Sequence, residues 1–376
     1  MDFYSLPYII LLLVYLLLYF VEKTSHTIFN RKIIRFFCAF LFVFFFGFRG
    51  FIGSDWYNYQ EYYSEATLST WTIYDFEIGF SFFVKLFNDL GFSYEFFVFF
   101  ITSLQVFLFD RFVKNEGRNV ALAYICLISL FPLLIIDLLR NFTSILIAIQ
   151  SIYYINKSKK IRALLLILIS ITFHTTGVFF LFFFLWSKNY FKKKTLYILL
   201  FIGLGIYLSQ FRFVDSIVSV IGSLFGGRLE YLAGSITESE QAYGIKIGIL
   251  EKLFVLMAVL VNYDYIVKNK LISPISFNLF FCYCFIQLYF STSDSIINRF
   301  GLLFFWAYLL FLTDLKIMIK NSVAKKYISV IIILLFFIKG YVTFDKIIYR
   351  YSNNIFEKDD HYIRSVNRDE FYIKAE

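Results

Sequence analysis

No polar stretch in this chain is long enough to fold as a separate soluble domain; the longest are about 212–244 and the tail from 344. The chemistry therefore belongs to the apolar body and its faces. No Walker-type phosphate loop appears, so nothing points to ATP. No zinc motif appears, and Cys38, Cys126, Cys282 and Cys284 sit in apolar runs without disulfide or metal spacing. No Ser-His-Asp arrangement has a recognisable local context. No internal repeat is evident, which argues against a transporter built from two related halves. The first run, Tyr4–Phe20, lacks a basic start and a small-residue cleavage site, and reads as a retained span. The short alternating segments of a transmembrane β-barrel are missing as well.

What is present is apolar. Hydrophobic residues make up 60% of the chain and the mean hydropathy is +0.70. The apolar residues fall in runs of the length that crosses about 30 Å of hydrocarbon. The fold class expected is an all-α polytopic membrane protein with about ten to twelve transmembrane helices, some broken or re-entrant. The net charge of +9 does not mark nucleic acid. Its lysines and arginines cluster at helix ends, as in Lys157–Arg162 and Lys192–Lys194, as cytoplasmic loops require. The abundance of Phe (53) and Tyr (29) fits an AT-rich genome as well as a function.

The expected organisation is one helical domain over 1–343, with outer-face loops at about 49–76 and 212–244, and a polar tail over 344–376. Loop 22–35 carries Lys23, Arg31, Lys32 and Arg35 and should be cytoplasmic; 49–76, with Asp55, Glu61, Glu65 and Asp75 against Arg49, should lie outside. If every apolar segment crossed, the basic loop 157–162 would also lie outside. The conflict disappears if 77–91 and 163–186 do not cross fully. The first is short and holds Lys85, Asn88 and Asp89; the second is interrupted by His174-Thr175-Thr176-Gly177.

Polar residues in such a chain need a reason. Gly53-Ser54-Asp55-Trp56-Tyr57-Asn58-Tyr59 follows Arg49 and a hydrophobic run. A carboxylate beside Trp56 and Tyr59 suits a sugar, whose apolar face packs on aromatic rings; an ordinary turn with an interfacial aromatic belt explains it too. Glu77 heads an apolar segment, where a helix dipole stabilises an acid, or it is a second carboxylate near Asp55. Arg140 stands between two apolar runs. Its fork suits a diphosphate, although Asp137 lies three residues earlier, at pairing distance on a helix. His174 offers an acid, a base or a hydrogen-bond donor. Arg299 reads as a snorkelling anchor or a second anion-binding arginine, and Arg228 as a weak substrate contact in the large loop.

Arg49 with Gly53-x-Asp55-x-x-x-Tyr59, Arg140-Asn141, Phe173-His174-Thr175 and late Arg299-Phe300 occur in the order found in EpsG-like proteins, which the chain resembles over about residues 1–315. These are Wzy-type polysaccharide polymerases, including O-antigen polymerases. The resemblance implies a fold of the lipid-linked (GT-C-like) glycosyltransferase type, without cofactor or metal. It implies a site facing the periplasm, or the cell exterior, in the bacterial inner membrane. The substrate implied is an oligosaccharide repeat unit on undecaprenyl diphosphate, and a growing chain passes to the non-reducing end of a new unit. Membrane lipid and a polysaccharide chain-length regulator are the implied partners; nucleic acid is not. On this reading Arg140 and Arg299 stabilise the departing diphosphate. Asp55, His174 or Glu77 takes the acceptor proton, Arg49 pairs with a carboxylate or holds diphosphate, and Trp56 and Tyr59 meet sugar. The large loop, about 212–244, is modest for the family. Two other classes fit the hydropathy: a flippase of lipid-linked oligosaccharide, and a membrane O-acyltransferase of polysaccharide.

Overall fold

The computed structural model describes residues 3–24, 27–72, 75–185, 189–210, 247–293, 297, 300–319, 322–357 and 359–373. The protein is an all-α polytopic membrane protein. No strand forms among the described residues; an isolated antiparallel bridge joins Arg49 to Asn353. The chain divides into two compact units, Met1–Phe184 with Tyr327–Glu376, and Leu185–Lys326.

The first unit opens with α1 (Leu6–Thr24) and α2 (Ile28–Phe42), the latter capped by Thr27 Oγ1, which accepts from Asn30 N at 3.2 Å. A π-helical turn, Val43–Gly47, ends α2. The short α3 (Trp56–Glu65) and α4 (Ile78–Asp89) precede α5 (Tyr94–Asn115). Ser93 caps α5, Glu95 lies in its first turn and Lys114 in its last, the arrangement that a helix dipole favours. At 1.5 Å per residue α5 is about 33 Å long, enough to cross a bilayer. Leu6–Thr24, Tyr94–Asn115 and Tyr327–Phe344 are each long and apolar enough to do so.

By the same rise α4, with 12 residues, reaches only about 18 Å, short of the hydrocarbon thickness. Beyond α5 come α6 (Val120–Leu130), α7 (Pro132–Ile136), α8 (Leu139–Asn156) and α9 (Lys160–Phe173). The apolar run after Lys160 is interrupted where the sequence is polar: α9 stops at Phe173, His174 is extended (φ −159°, ψ 131°), and a 3₁₀ stretch covers Thr175–Phe184.

The core of this unit sits around α8, which is buried along almost its whole length. Several of its polar side chains are paired with neighbouring helices, as the absence of water in lipid favours. Gln105 Nε2 donates to Leu139 O (3.2 Å) and Thr143 Oγ1 (3.0 Å), Gln150 Nε2 to Leu108 O (2.9 Å), and Ser144 Oγ to Ser170 O (2.8 Å). The chain outside is apolar: Leu17, Phe36 and Phe107 are each more than 60% exposed, as lipid-facing side chains should be.

In the second unit α10 (Lys193–Ser209), α11 (Ile247–Val261) and α12 (Tyr263–Lys268) precede α13 (Pro274–Tyr289), which starts on a Ser273 cap with proline at the first turn. Gly203 lets α10 approach α13; a Cβ there would lie 2.7 Å from Leu288 and Tyr289. Asn278 ties α13 to the preceding chain through Asn189 O and Phe191 N, both at 2.8 Å. On α14 (Phe305–Met318), Tyr308 donates to Glu251 Oε1 at 2.8 Å. Then α15 (Ser322–Phe344) returns the chain to the first unit.

The residues after Phe344 fold onto that unit. A 3₁₀ turn at Ile347–Tyr349 and α16 (His361–Ile373) bracket a segment that follows Arg49–Gly53 strand-like. Asn354 N donates to Phe48 O (2.8 Å), Gly50 N to Ser352 O (3.1 Å) and Gly53 N to Ile348 O (2.9 Å).

Candidate functional site

Two linked clusters form where α3, α4 and α8 begin and α9 ends. The first is built on the turn before α3. Asp137 is 2% exposed, and its Oδ1 accepts from Ser54 N (2.6 Å), Ser54 Oγ (3.3 Å) and Asp55 N (3.1 Å). Gly53 is required for this approach: its φ is +86°, and a Cβ would meet Asp137 Oδ1 at 2.3 Å. The pairing of Asp137 with Arg140 that helical spacing suggests does not form. The helix is broken at Leu138 (φ −90°, ψ 51°), so the two side chains belong to different helices, α7 ending at Ile136 and α8 starting at Leu139.

Arg49 closes the other side of this turn. It is 6% exposed, and its guanidinium donates to Phe46 O (2.6 Å), Ile136 O (3.2 Å) and Thr102 Oγ1 (3.5 Å). Two of these acceptors are carbonyls at the ends of the π-turn and α7, which lack intrahelical donors. The direct hydrogen bonds of Arg49 thus go to main chain and a threonine, while the Asp137 carboxylate acts on it through space. Trp56, at 5% exposure, stacks on Phe51 (4.5 Å between centroids), and Tyr59 is 6% exposed. Their faces are covered by protein.

Asp55 is half-buried at the N-terminal cap position of α3 and makes no side-chain cap bond. Its carboxyl is pushed up to about 6 by burial and by Asp137, against the opposing pull of Arg140 and the Ser54 hydroxyl.

The second cluster centres on Arg140. Its Nη1 donates to Glu77 Oε2 at 2.5 Å. Its guanidinium lies over Phe76 at 3.9 Å and near the rings of Tyr59 (5.9 Å) and Phe80 (6.0 Å). Arg140 Nε is buried without a hydrogen-bond partner among the described residues, while the side chain as a whole keeps 22% of its surface exposed. Glu77 precedes α4, and its Oε1 accepts from Thr175 N at 3.1 Å. Burial pushes this carboxyl up, but Arg140 and the Thr175 N–H prevail and hold it below its ordinary value. Gly79 permits the contact: a Cβ there would sit 2.3 Å from Thr172 Oγ1, so only glycine lets α4 lie against α9.

His174 caps α9 beside this pair. Its Nδ1 stands 2.7 Å from Thr176 Oγ1, and that hydroxyl stands 3.3 Å from Asn141 Oδ1. Asn141 adjoins Arg140 on α8, so Glu77, Arg140, Asn141, His174, Thr175 and Thr176 form one polar network. Of the residues singled out from the sequence, Asp55, Tyr59, Glu77, Arg140 and His174 come together here. Arg228 and Arg299 lie outside the described residues. No group of three or more His, Cys, Asp or Glu is placed to hold a metal ion among the described residues.

Sequence reasoning missed the chain after Phe344. Asp359 Oδ2 accepts from Phe51 N (2.7 Å) and Ser352 Oγ (2.6 Å), and its Oδ1 from Arg364 Nε (2.9 Å). His361 sets its ring edge-on to Trp56 (5.2 Å) and Phe51 (5.6 Å), and Arg368 lies over Tyr57 at 4.2 Å. One signal was available: a tail after Phe344 with three arginines, four aspartates, one histidine and six aromatics is unlike a plain solvated end.

The arrangement offers a carboxyl with raised proton affinity beside a clamped arginine and a histidine. That combination can accept a proton and stabilise a departing anion. No curated protein and no solved structure matches the chain. The EpsG family model matches residues 32–355, which take in both clusters and most of the chain. The protein belongs to the EpsG family, and its function is of the polysaccharide-polymerase type.

Proposed function

We propose that the protein joins undecaprenyl-diphosphate-linked oligosaccharide repeat units into O-antigen or a related surface polysaccharide. The site faces the periplasm, or the cell exterior, in the bacterial inner membrane. The observation that carries this reading is the Glu77–Arg140 pair set between Asp55 and His174 within a family of polymerase type. Cleaving the anomeric C–O bond builds negative charge on the departing diphosphate. Arg140 is the cation for it: fixed by Glu77 and Phe76, yet exposed on one side. Arg49 is too enclosed by carbonyls for that role and acts as a positioning residue, as does Trp56. Asp55 takes the proton of the acceptor hydroxyl, and the new glycosidic bond forms as that proton leaves. Glu77 is held ionised by Arg140, which suits an orienting group better than a base. His174 donates a hydrogen bond to the substrate. Arg299 serves as a second diphosphate ligand, a role that rests on the resemblance, and Arg228 as a substrate contact, a role that rests on its place in the large loop. A chain-length regulator is the expected protein partner.

The test is a gel of surface polysaccharide from a deletion strain carrying the gene or its Asp55→Asn, Arg140→Ala and His174→Ala forms, with membrane levels followed by immunoblot. The expected result is collapse of a long ladder to a single repeat unit at normal protein level. Absence of even the single unit would favour a flippase, and an unchanged ladder with altered decoration an acyltransferase.

A further inference from the structure

The ends of α2 and α5 remote from Arg49 enclose a groove of about 480 Å³ that the reaction above does not use. Lys32, Arg35 and Lys114 line one part of it, and Phe36 and Phe107 another. Arg35 is paired, donating from Nε to Asp110 Oδ1 at 3.0 Å and from Nη2 to Asp110 O at 3.2 Å. That pairing neutralises Asp110. Lys32 and Lys114 make no ion pair among the described residues, so the groove keeps two free positive charges. Phe36 is 66% exposed and Phe107 61%, and they continue the groove as an apolar wall.

The position along the helices is informative. Tyr94, at the start of α5, borders the small cavity beside Arg49, Gly50 and Trp56. Lys114 lies at the other end of that helix, about 30 Å away at 1.5 Å per residue. The groove and the candidate site thus occupy opposite faces of the bilayer. The basic loop 22–35 assigns the groove to the cytoplasmic face.

We infer that this groove binds an anionic phospholipid of the surrounding membrane, its phosphate between Lys32 and Lys114 and an acyl chain along Phe36 and Phe107. Charge complementarity selects the headgroup, since Asp110 is already neutralised. The apolar wall selects a lipid over a free anion, because inorganic phosphate gains nothing from two exposed phenyl rings.

The experiment uses the full chain purified in detergent. Phosphatidylglycerol, phosphatidylcholine or inorganic phosphate is added, retention is read by native mass spectrometry, and the melting temperature is read in parallel. Phosphatidylglycerol should be retained selectively and raise the melting temperature. Lys32→Gln with Lys114→Gln should weaken its retention roughly 25-fold, from about fivefold per lysine. The arginine pair Lys32→Arg with Lys114→Arg should keep it, which separates charge from misfolding. Phe107→Ser should weaken retention without abolishing selectivity. Equal retention of phosphatidylcholine, or phosphatidylglycerol retention unchanged by the glutamine pair, would overturn the inference. So would inorganic phosphate reproducing the melting shift in full, which would mark a simple anion site.

Discussion

Arg49 and Arg140 stand out equally in the sequence as charges among apolar residues, yet their surroundings differ in kind. Around Arg49 the acceptors are main-chain oxygens at helix ends plus Thr102, and the side chain is almost fully enclosed. Around Arg140 there is one directly bonded carboxylate, a second, Asp55, acting through space, an aromatic shelf, an unused buried N–H and an open side. A buried guanidinium bonded to two helix-end carbonyls and a threonine holds helices together. One bonded directly to one acid and left partly open keeps donors for an anion. The partner set, not burial or charge alone, separates a structural arginine from a chemical one.

Breaking each region separately sharpens the contrast. Arg49→Ala should have the largest effect, because it leaves two helix-end carbonyls without donors at a cost of about 1–3 kcal/mol each. Folded protein should drop to a small fraction in fluorescence-detected gel filtration; normal yield would refute the assignment. Arg140→Ala should leave folded yield near normal and lower polymer formation by about 10²–10³-fold, the scale for a lost charge-stabilising donor. Equal loss of both readouts in the two variants would erase the distinction.

Next comes the pH response. Asp55 acts as a base only when ionised, and its carboxyl titrates at about 6. The polymerisation rate of purified protein should rise as pH passes through about 6 and level off above it. Asp55→Asn should give a low rate without that acidic limb, and persistence of the limb would assign it to another group.

The smallest effect concerns the returning chain. Asp359→Ala removes the acceptor of Phe51 N and Ser352 Oγ and the partner of Arg364. About 1–3 kcal/mol of stability should be lost, read as a lower melting temperature with activity falling only in proportion. A large activity loss at unchanged melting temperature would move the tail from support into the chemistry.

Particular residues show how far the sequence carries. The break at His174-Thr175-Thr176-Gly177 was legible, since polar, β-branched residues and glycine interrupt an otherwise apolar helix. The shortness of α4 was legible from Lys85, Asn88 and Asp89. The partner of Arg140 was not. Local spacing pointed to Asp137, but a break at Leu138 redirected that acid to the Ser54–Asp55 turn and left Arg140 to Glu77, 63 residues away. The contribution of Asp359 and His361 was equally hidden, because it depends on contacts with Phe51 and Trp56, more than 300 positions earlier.

By itself, then, the sequence determined the solvent, the fold class and the short list of polar residues that need explanation. Hydropathy and charge at segment ends are local quantities, and a bilayer reads them segment by segment. Only the tertiary structure decided which of those residues are bonded to main chain and which remain available. That outcome depends on long-range approach, permitted by Gly53 and Gly79 where a Cβ would collide with Asp137 or Thr172. It also depends on a C-terminal segment that returns across the chain to hold the turn before α3 in place.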